Sequence, residues 1–293
     1  MSRIFDALRK SESDRAEPAG TACATEPETW RGMASAAQAG ADDFLQVPTI
    51  RCDSANGHRP AAAWHQAGQE TFRVMHHRLE LIRHRRPLRK LLVTSAIPKE
   101  GKTTVALNLA VALARASQRV LLIDADLRHP GVHRALGLPA QAGLGDWLEQ
   151  RGEMTALLRR VDPHGFYYLP AGTAQSNPGE VLRLSALTEF LASTTGRFDW
   201  VVVDSPPLVP FVDAHHLSTL VDGVLMVLRQ GVTPRVALEK AFASLDRAFI
   251  AGAVVNGARD DNHGYYRYYG SERAARAASM PQTPSSRTKA AEV

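Results

Sequence analysis

An α/β fold is predicted, a mostly parallel sheet covered by helices on both faces. Three observations predict it. From residue 90 onward, short apolar runs of strand length alternate with helical segments. The runs are apolar at every position instead of alternating, as expected for strands buried on both faces. The ends of several runs carry acids or glycine-rich turns, the place where parallel α/β sheets bind ligands.

The elements follow in order. Residues 64–84 show a helical pattern through Trp64, Phe72, Met75, Leu79 and Ile82. Leu91–Thr94 is the first apolar run, and Thr104–Ala116 (TVALNLAVALARA) reads as a buried helix. Val120–Ile123 is a second strand and Phe166–Leu169 a third, with a helix expected over Pro178–Ala192. Trp200–Val203 is a strand apolar on both faces. Gly223–Leu228, a helix over Pro234–Phe249 and a last strand at Ala251–Val255 complete the series. The predicted domain therefore spans 63–258. Before it, residues 1–12 are expected to form a short amphipathic helix, with Ser2 as cap and Ile4, Phe5 and Leu8 on one face. So short a helix is marginal alone, and membrane, partner or its own domain are all open as its support. Residues 13–62, rich in Ala, Gly, Glu, Pro and Ser, read as a flexible linker, and 259–293 as a flexible tail.

Composition excludes several classes. The chain has 293 residues, 44% of them hydrophobic and 22% charged, which is ordinary for a globular protein. No apolar run approaches the ~18 residues of a membrane span, and no apolar segment follows the charged N-terminus as in a secretory signal. Cys23 and Cys52 are too few for a disulfide framework and lack metal-ligand spacing, so a cytoplasmic setting is expected. Formal net charge is +5, yet Arg73–Lys90 alone carries seven Lys or Arg against one acid. Such a run reads either as a solvated helix face or as a surface for an anionic partner. No nucleic-acid module is recognisable, so nucleic acid is not expected as a partner. The pairs His76–His77 and His215–His216 lack nearby ligands at diagnostic spacing and are read as structural.

Three strand ends carry chemistry. The first runs into Ser95-Ala-Ile-Pro-Lys-Glu-Gly-Lys-Thr-Thr104 and then the buried helix. This is a P-loop in which Ala96 stands where the usual pattern has glycine. Ala96 must then keep an ordinary backbone conformation. Gly101 lets the main chain approach phosphate oxygens, Lys102 brings a point charge, and the Thr103 hydroxyl can ligate Mg²⁺. Lys99, Glu100, Gly101, Lys102, Thr103 and Thr104 are the predicted nucleotide-binding residues. The second strand ends in Asp124-Ala-Asp126, two carboxylates that need cations or hydrogen-bond donors to stay ionised. The third ends in Asp204-Ser-Pro-Pro207, a Walker-B arrangement in which Asp204 polarises the magnesium shell.

At these residues the chain resembles the bacterial tyrosine kinase family of the cytoplasmic capsule and exopolysaccharide type. Ser95–Thr103 matches its S-x-x-P-x-E-G-K-[ST], Ile123–Pro130 its I-D-x-D-x-R-x-P, and Asp204–Pro207 its D-[ST]-P-P with a downstream Asp213-Ala214. Leu169–Gly172 with Asn177-Pro178 also matches. A tyrosine-rich C-terminal tail completes the pattern. Four of the chain's six tyrosines, Tyr265, Tyr266, Tyr268 and Tyr269, fall within five positions. The resemblance covers roughly residues 68–270.

The resemblance implies a P-loop NTPase fold of the Min/Par-like (deviant Walker) class and an ATP- and Mg²⁺-dependent protein-tyrosine autokinase. Lys102 would neutralise phosphate charge, and Asp124 would orient the phenol and accept its proton. Asp126, Asp204 and Thr103 would hold magnesium, and Asn256 resembles an adenine-pocket residue. Arg128 would touch a phosphate or pair with an acid. The four clustered tyrosines would be autophosphorylated between subunits of a ring. A ring-forming E-x-x-R-x-x-R helix motif is met by Glu70 and Arg73, but His76 stands in the last position. A transmembrane polysaccharide co-polymerase or activator is the implied partner, recruiting the chain to the inner face of the plasma membrane, and protein tyrosines are the implied substrates. Two alternatives stand beside this reading. One is a Min/Par-like ATPase, which usually has a further lysine early in the P-loop, where this chain has Ser95-Ala96. The other is a non-catalytic nucleotide-binding scaffold of a polysaccharide export machine.

Overall fold

A computed structural model describes residues 47–52, 66–150, 154–173 and 184–258, all within one unit of the chain. The expected tail, the N-terminal helix and the tyrosine cluster lie outside these residues, as does most of the expected linker.

Eight strands form one sheet. In chain order they are β1 (Thr49–Arg51), β2 (Lys90–Ser95), β3 (Val120–Asp124), β4 (Arg159–Asp162), β5 (Phe166–Leu169), β6 (Trp200–Asp204), β7 (Gly223–Arg229) and β8 (Ile250–Asn256). Their order across the sheet is β1-β4-β5-β3-β6-β2-β7-β8. All pairings are parallel except β4 with β5. The helices are α1 (Gln66–Arg83), α2 (Lys102–Arg115), α3 (Val132–Ala135), α4 (Leu144–Gln150), α5 (Leu184–Ser193), α6 (Asp213–Ser218) and α7 (Arg235–Ala243). None of the described helices is long and apolar enough to cross a membrane.

The apolar runs do what their composition demands. In β2, Leu91 and Val93 join the cluster formed with α2, while Leu92 is equally buried outside that cluster. The same division separates Val120 and Leu122 from Leu121 and Ile123 in β3, and Trp200 and Val202 from Val201 and Val203 in β6. Successive side chains of a strand point to opposite faces, so both faces of the sheet are covered. Helix α2 buries Val105, Leu109 and Leu113 against this cluster, with Phe72, Met75 and Leu79 of α1 packed on it.

The structure corrects the reading in three places. The expected linker over 13–62 contains β1, whose Ile50 packs on the core and whose backbone pairs with β4. Three residues with one apolar side chain carry no local signal, and the strand exists only because a partner edge is present. Strand β4 itself was not anticipated, since in Arg-Arg-Val-Asp only Val161 is fully buried. The helix expected over Pro234–Phe249 ends at Ala243. A 3-10 turn, Arg247–Phe249, follows instead, capped by Asp246, whose Oδ1 accepts the Ala248 N–H at 2.9 Å.

Candidate nucleotide site

The central strands β3, β6 and β2 are consecutive neighbours and run the same way, so their C-terminal ends open on one side. Asp124 and Asp204 are register partners at the ends of β3 and β6. The P-loop leaves β2 beside them and turns into α2. This brings Lys102, Thr103, Asp124, Asp126 and Asp204 together from three segments of chain.

The P-loop is shaped by two left-handed residues. Gly101 has φ 96° and Lys99 φ 65°, whereas Ala96 keeps an ordinary conformation, as its side chain requires. A Cβ on Gly101 would lie 2.0 Å from Nδ2 of Asn256, so glycine is demanded by space as well as by conformation. Helix α2 begins at Gly101 with no side-chain cap. Its first N–H groups are thus left without a side-chain acceptor, the condition under which a helix N-terminus can take an anion. Lys102 is buried at the mouth.

Glu100 is wholly buried and acts inward. Its Oε2 accepts the Ile97 N–H at 2.9 Å, and its Oε1 accepts the Thr233 hydroxyl proton. Its main-chain carbonyl accepts from Nδ2 of Asn256 at 2.9 Å, and the Lys99 carbonyl accepts from Arg229 at 3.3 Å. Thr233 also accepts the Arg229 N–H at 2.8 Å, which leaves its single proton for Glu100. The turn after β7 and the end of β8 thus brace the loop from behind. Glu100 and Asn256, predicted as ligand contacts, are placed as parts of this brace. Thr233 and Arg229 were missed, since no motif marks them.

The acids differ in environment. Asp124 accepts the N–H groups of Gly131 and Val132 at 3.0 Å and of Asp126 at 3.3 Å. Burial pushes its carboxyl up to about 7, against the pull of the Val132 amide and with a further push from Asp126. Asp126 is 8% exposed and accepts the His129 N–H at 3.0 Å. Burial raises it too, opposed by that amide and by Lys102. Asp204 is wholly buried, and neither carboxylate oxygen has a hydrogen-bond partner. Burial, then the charge of Asp124, push it well above the usual carboxylate range. The nearby Thr103 hydroxyl and Lys102 pull the other way without a direct hydrogen bond to it. Gly131 lies against Thr103, where a Cβ would come within 3.1 Å of Oγ1.

Magnesium fits this donor set. Two orphaned carboxylate oxygens beside a threonine hydroxyl are the oxygen ligands it takes. No group of three or more His, Cys, Asp or Glu among the described residues would hold a metal alone.

Arg128 pairs with an acid. Its Nε donates to Oδ2 of Asp213 at 2.7 Å, and its guanidinium lies 4.6 Å over the Phe211 ring. It thereby ties the loop after β3 to the start of α6. Glu70 and Arg73 form an exposed ion pair at 3.4 Å on α1, and His76 lies 3.5 Å from Glu80.

Comparison with known proteins agrees with this geometry. Residues 92–268 match the family described as the CobQ/CobB/MinD/ParA nucleotide binding domain. The tyrosine-protein kinase YwqD of Bacillus subtilis is 33% identical over 205 residues, covering 69% of this chain and 86% of that protein. The succinoglycan biosynthesis transport protein ExoP of Rhizobium meliloti is 33% identical over 62% of this chain, but the match spans only 25% of its length. The kinase domain of the Escherichia coli tyrosine kinase ETK superposes with a TM-score of 0.64 at 27% identity, covering 74% of this chain and 83% of that domain. With a family model over residues 92–268 and a relative 33% identical over 86% of its own length, the chain belongs to the bacterial tyrosine-protein kinase family.

Proposed function

We propose that the chain is an ATP- and Mg²⁺-dependent autokinase that modifies its own tail tyrosines and regulates exopolysaccharide or capsule synthesis and export. The single observation that carries the proposal is the orphaned carboxylate of Asp204 beside Lys102, Thr103 and the uncapped start of α2. An unpartnered buried carboxylate is costly unless a cation completes it.

The roles follow from the environments. Lys102 and the N–H groups of α2 would hold the phosphates, and Thr103, Asp126 and Asp204 would hold the metal. Magnesium, when bound, neutralises charge on the phosphates and lets the terminal phosphoryl group be approached in line. Asp124 orients the incoming phenol and takes its proton. The phenol's own value is near ~10, and burial supplies Asp124 with basicity that an exposed aspartate lacks. The tail can reach the site of a neighbouring subunit, since Asn256 to Tyr265 is nine residues, roughly 30 Å when extended. Glu70 and Arg73 contribute to a ring of such subunits. The partner is a transmembrane activator of the polysaccharide co-polymerase kind, a reading supported by the name and greater length of the Rhizobium relative.

Incubation with Mg-ATP and the activator's cytoplasmic segment, followed by mass spectrometry, tests the proposal. Phosphate is expected on several of Tyr265, Tyr266, Tyr268 and Tyr269, and none with Lys102→Met. ATP hydrolysis with an unmodified tail would favour a Min/Par-like ATPase, a reading the family match also accommodates. Neither activity would favour a scaffold.

A further inference from the structure

The end of the sheet opposite the nucleotide site carries an excess of cations that the fold leaves unneutralised. This end gathers the N-termini of β2, β3, β6, β7 and β8, roughly 17–23 Å from their C-termini. Its three aspartates among the described residues are engaged. Asp222 accepts the N–H groups of Arg89 and Lys90 at 2.8 Å each and pairs with Nζ of Lys90 at 3.7 Å. Asp199 pairs with Arg119 at 3.3 Å, and Asp246 caps the 3-10 turn. The side chains of Arg85, Arg89 and Arg247 are exposed and meet no acid among the described residues. Arg86 donates to the main-chain carbonyls of Asp222 at 3.3 Å and Ala248 at 2.7 Å. It spends hydrogen bonds there but keeps its charge, and it holds the 84–90 loop beside the 247–249 turn. Two large apolar side chains are left exposed at the same end, Phe249 at 40% and Leu81, in the last turn of α1, at 49%.

We propose that this basic end, carried by Arg85, Arg89 and Arg247 with Phe249 at its margin, docks on an anionic phospholipid surface. Four cations without acid partners complement the negative potential of an anionic leaflet, and an exposed ring among them suits the headgroup boundary. Docked this way, the nucleotide mouth faces away from the bilayer, open to tails of neighbouring subunits. The inference stands apart from the kinase reading, because lipid binding needs no nucleotide.

The test is cosedimentation of the full chain with vesicles of phosphatidylcholine alone or with 30% phosphatidylglycerol, at 50 and 300 mM NaCl. Binding is expected only to the anionic vesicles and to weaken strongly at the higher salt. Each cation near such a surface is worth roughly a fivefold factor. The triple variant Arg85→Glu, Arg89→Glu, Arg247→Glu removes three cations and adds three anions, so it should need at least about a hundredfold more lipid for half-binding. Two reversals at the nucleotide end, Arg134→Glu with Arg235→Glu, should change it less than about threefold. An unchanged Kd for Mg-ATP certifies that the triple variant is folded. Equal binding of triple variant and wild type would overturn the proposal, as would equal binding to neutral vesicles or equal affinity for a duplex oligonucleotide.

Discussion

Replacing Asp204 by Asn should stabilise the free protein and cripple it as a nucleotide binder. Asp204 is fully buried with both oxygens unpartnered, and its carboxyl is held well above the ordinary range by burial and by Asp124. A group raised in the folded state binds its proton more tightly folded than unfolded. Its contribution to stability is full below the ordinary carboxylate value and is lost as pH rises through the folded one. Keeping the proton costs about 1.4 kcal/mol for each pH unit above the ordinary carboxylate value until the folded value is reached. Asn has the same shape and no charge, so the variant's advantage should be larger at pH 8 than at pH 5, by about 1–3 kcal/mol. For a domain of this size this is a further rise in Tm of roughly 3–10 °C at pH 8 over that at pH 5. Wild type at a hundredfold excess of Mg-ATP over Kd should gain about 2.7 kcal/mol, and Asp204→Asn should gain almost none of it. Differential scanning calorimetry at both pH values, with and without Mg-ATP, reads all four quantities. A variant less stable than wild type at pH 8, or one stabilised by Mg-ATP as much as wild type, would refute the reasoning.

Three further outcomes are expected. Thr233→Val removes the proton donor to Glu100 and should raise the Kd for Mg-ATP about tenfold, while Thr233→Ser should restore it; titration calorimetry distinguishes them. Asp124→Asn should abolish tail phosphorylation while Mg-ATP still binds, whereas Asp126→Asn should weaken metal-dependent binding itself. If Asp126→Asn alone loses transfer with binding intact, the proton acceptor is Asp126, the acid with surface exposure. Arg128→Ala should destabilise the fold by about 2–4 kcal/mol in urea titrations, because it leaves Asp213, 4% exposed, without its 2.7 Å partner.

The chemistry-bearing residues were legible because each sits in a short stretch of chain. A strand of four or five apolar residues, a turn of fixed spacing and a buried helix are local patterns, and Lys102, Thr103, Asp124 and Asp204 are named by them. That Asp124 and Asp204 end neighbouring strands is decided by the strand order across the sheet, which no local pattern carries. The sequence offers Arg128 either a phosphate or an acid, since its choice of Asp213 joins positions 85 residues apart.

Unaided, the linear order of residues specified the sheet class, the phosphate loop and the acids at its mouth, because backbone preference and hydrophobic period act over a few neighbours. Only the folded chain decided that β1 and β4 exist, that Glu100 faces inward to Thr233 across 133 positions, and that Asp204 is left without a partner. It also decided that the cations of the α1–β2 segment meet Arg247 on one face. These are facts of burial and of contact between distant segments, and desolvation has no signature until a third dimension sets what each group is buried against.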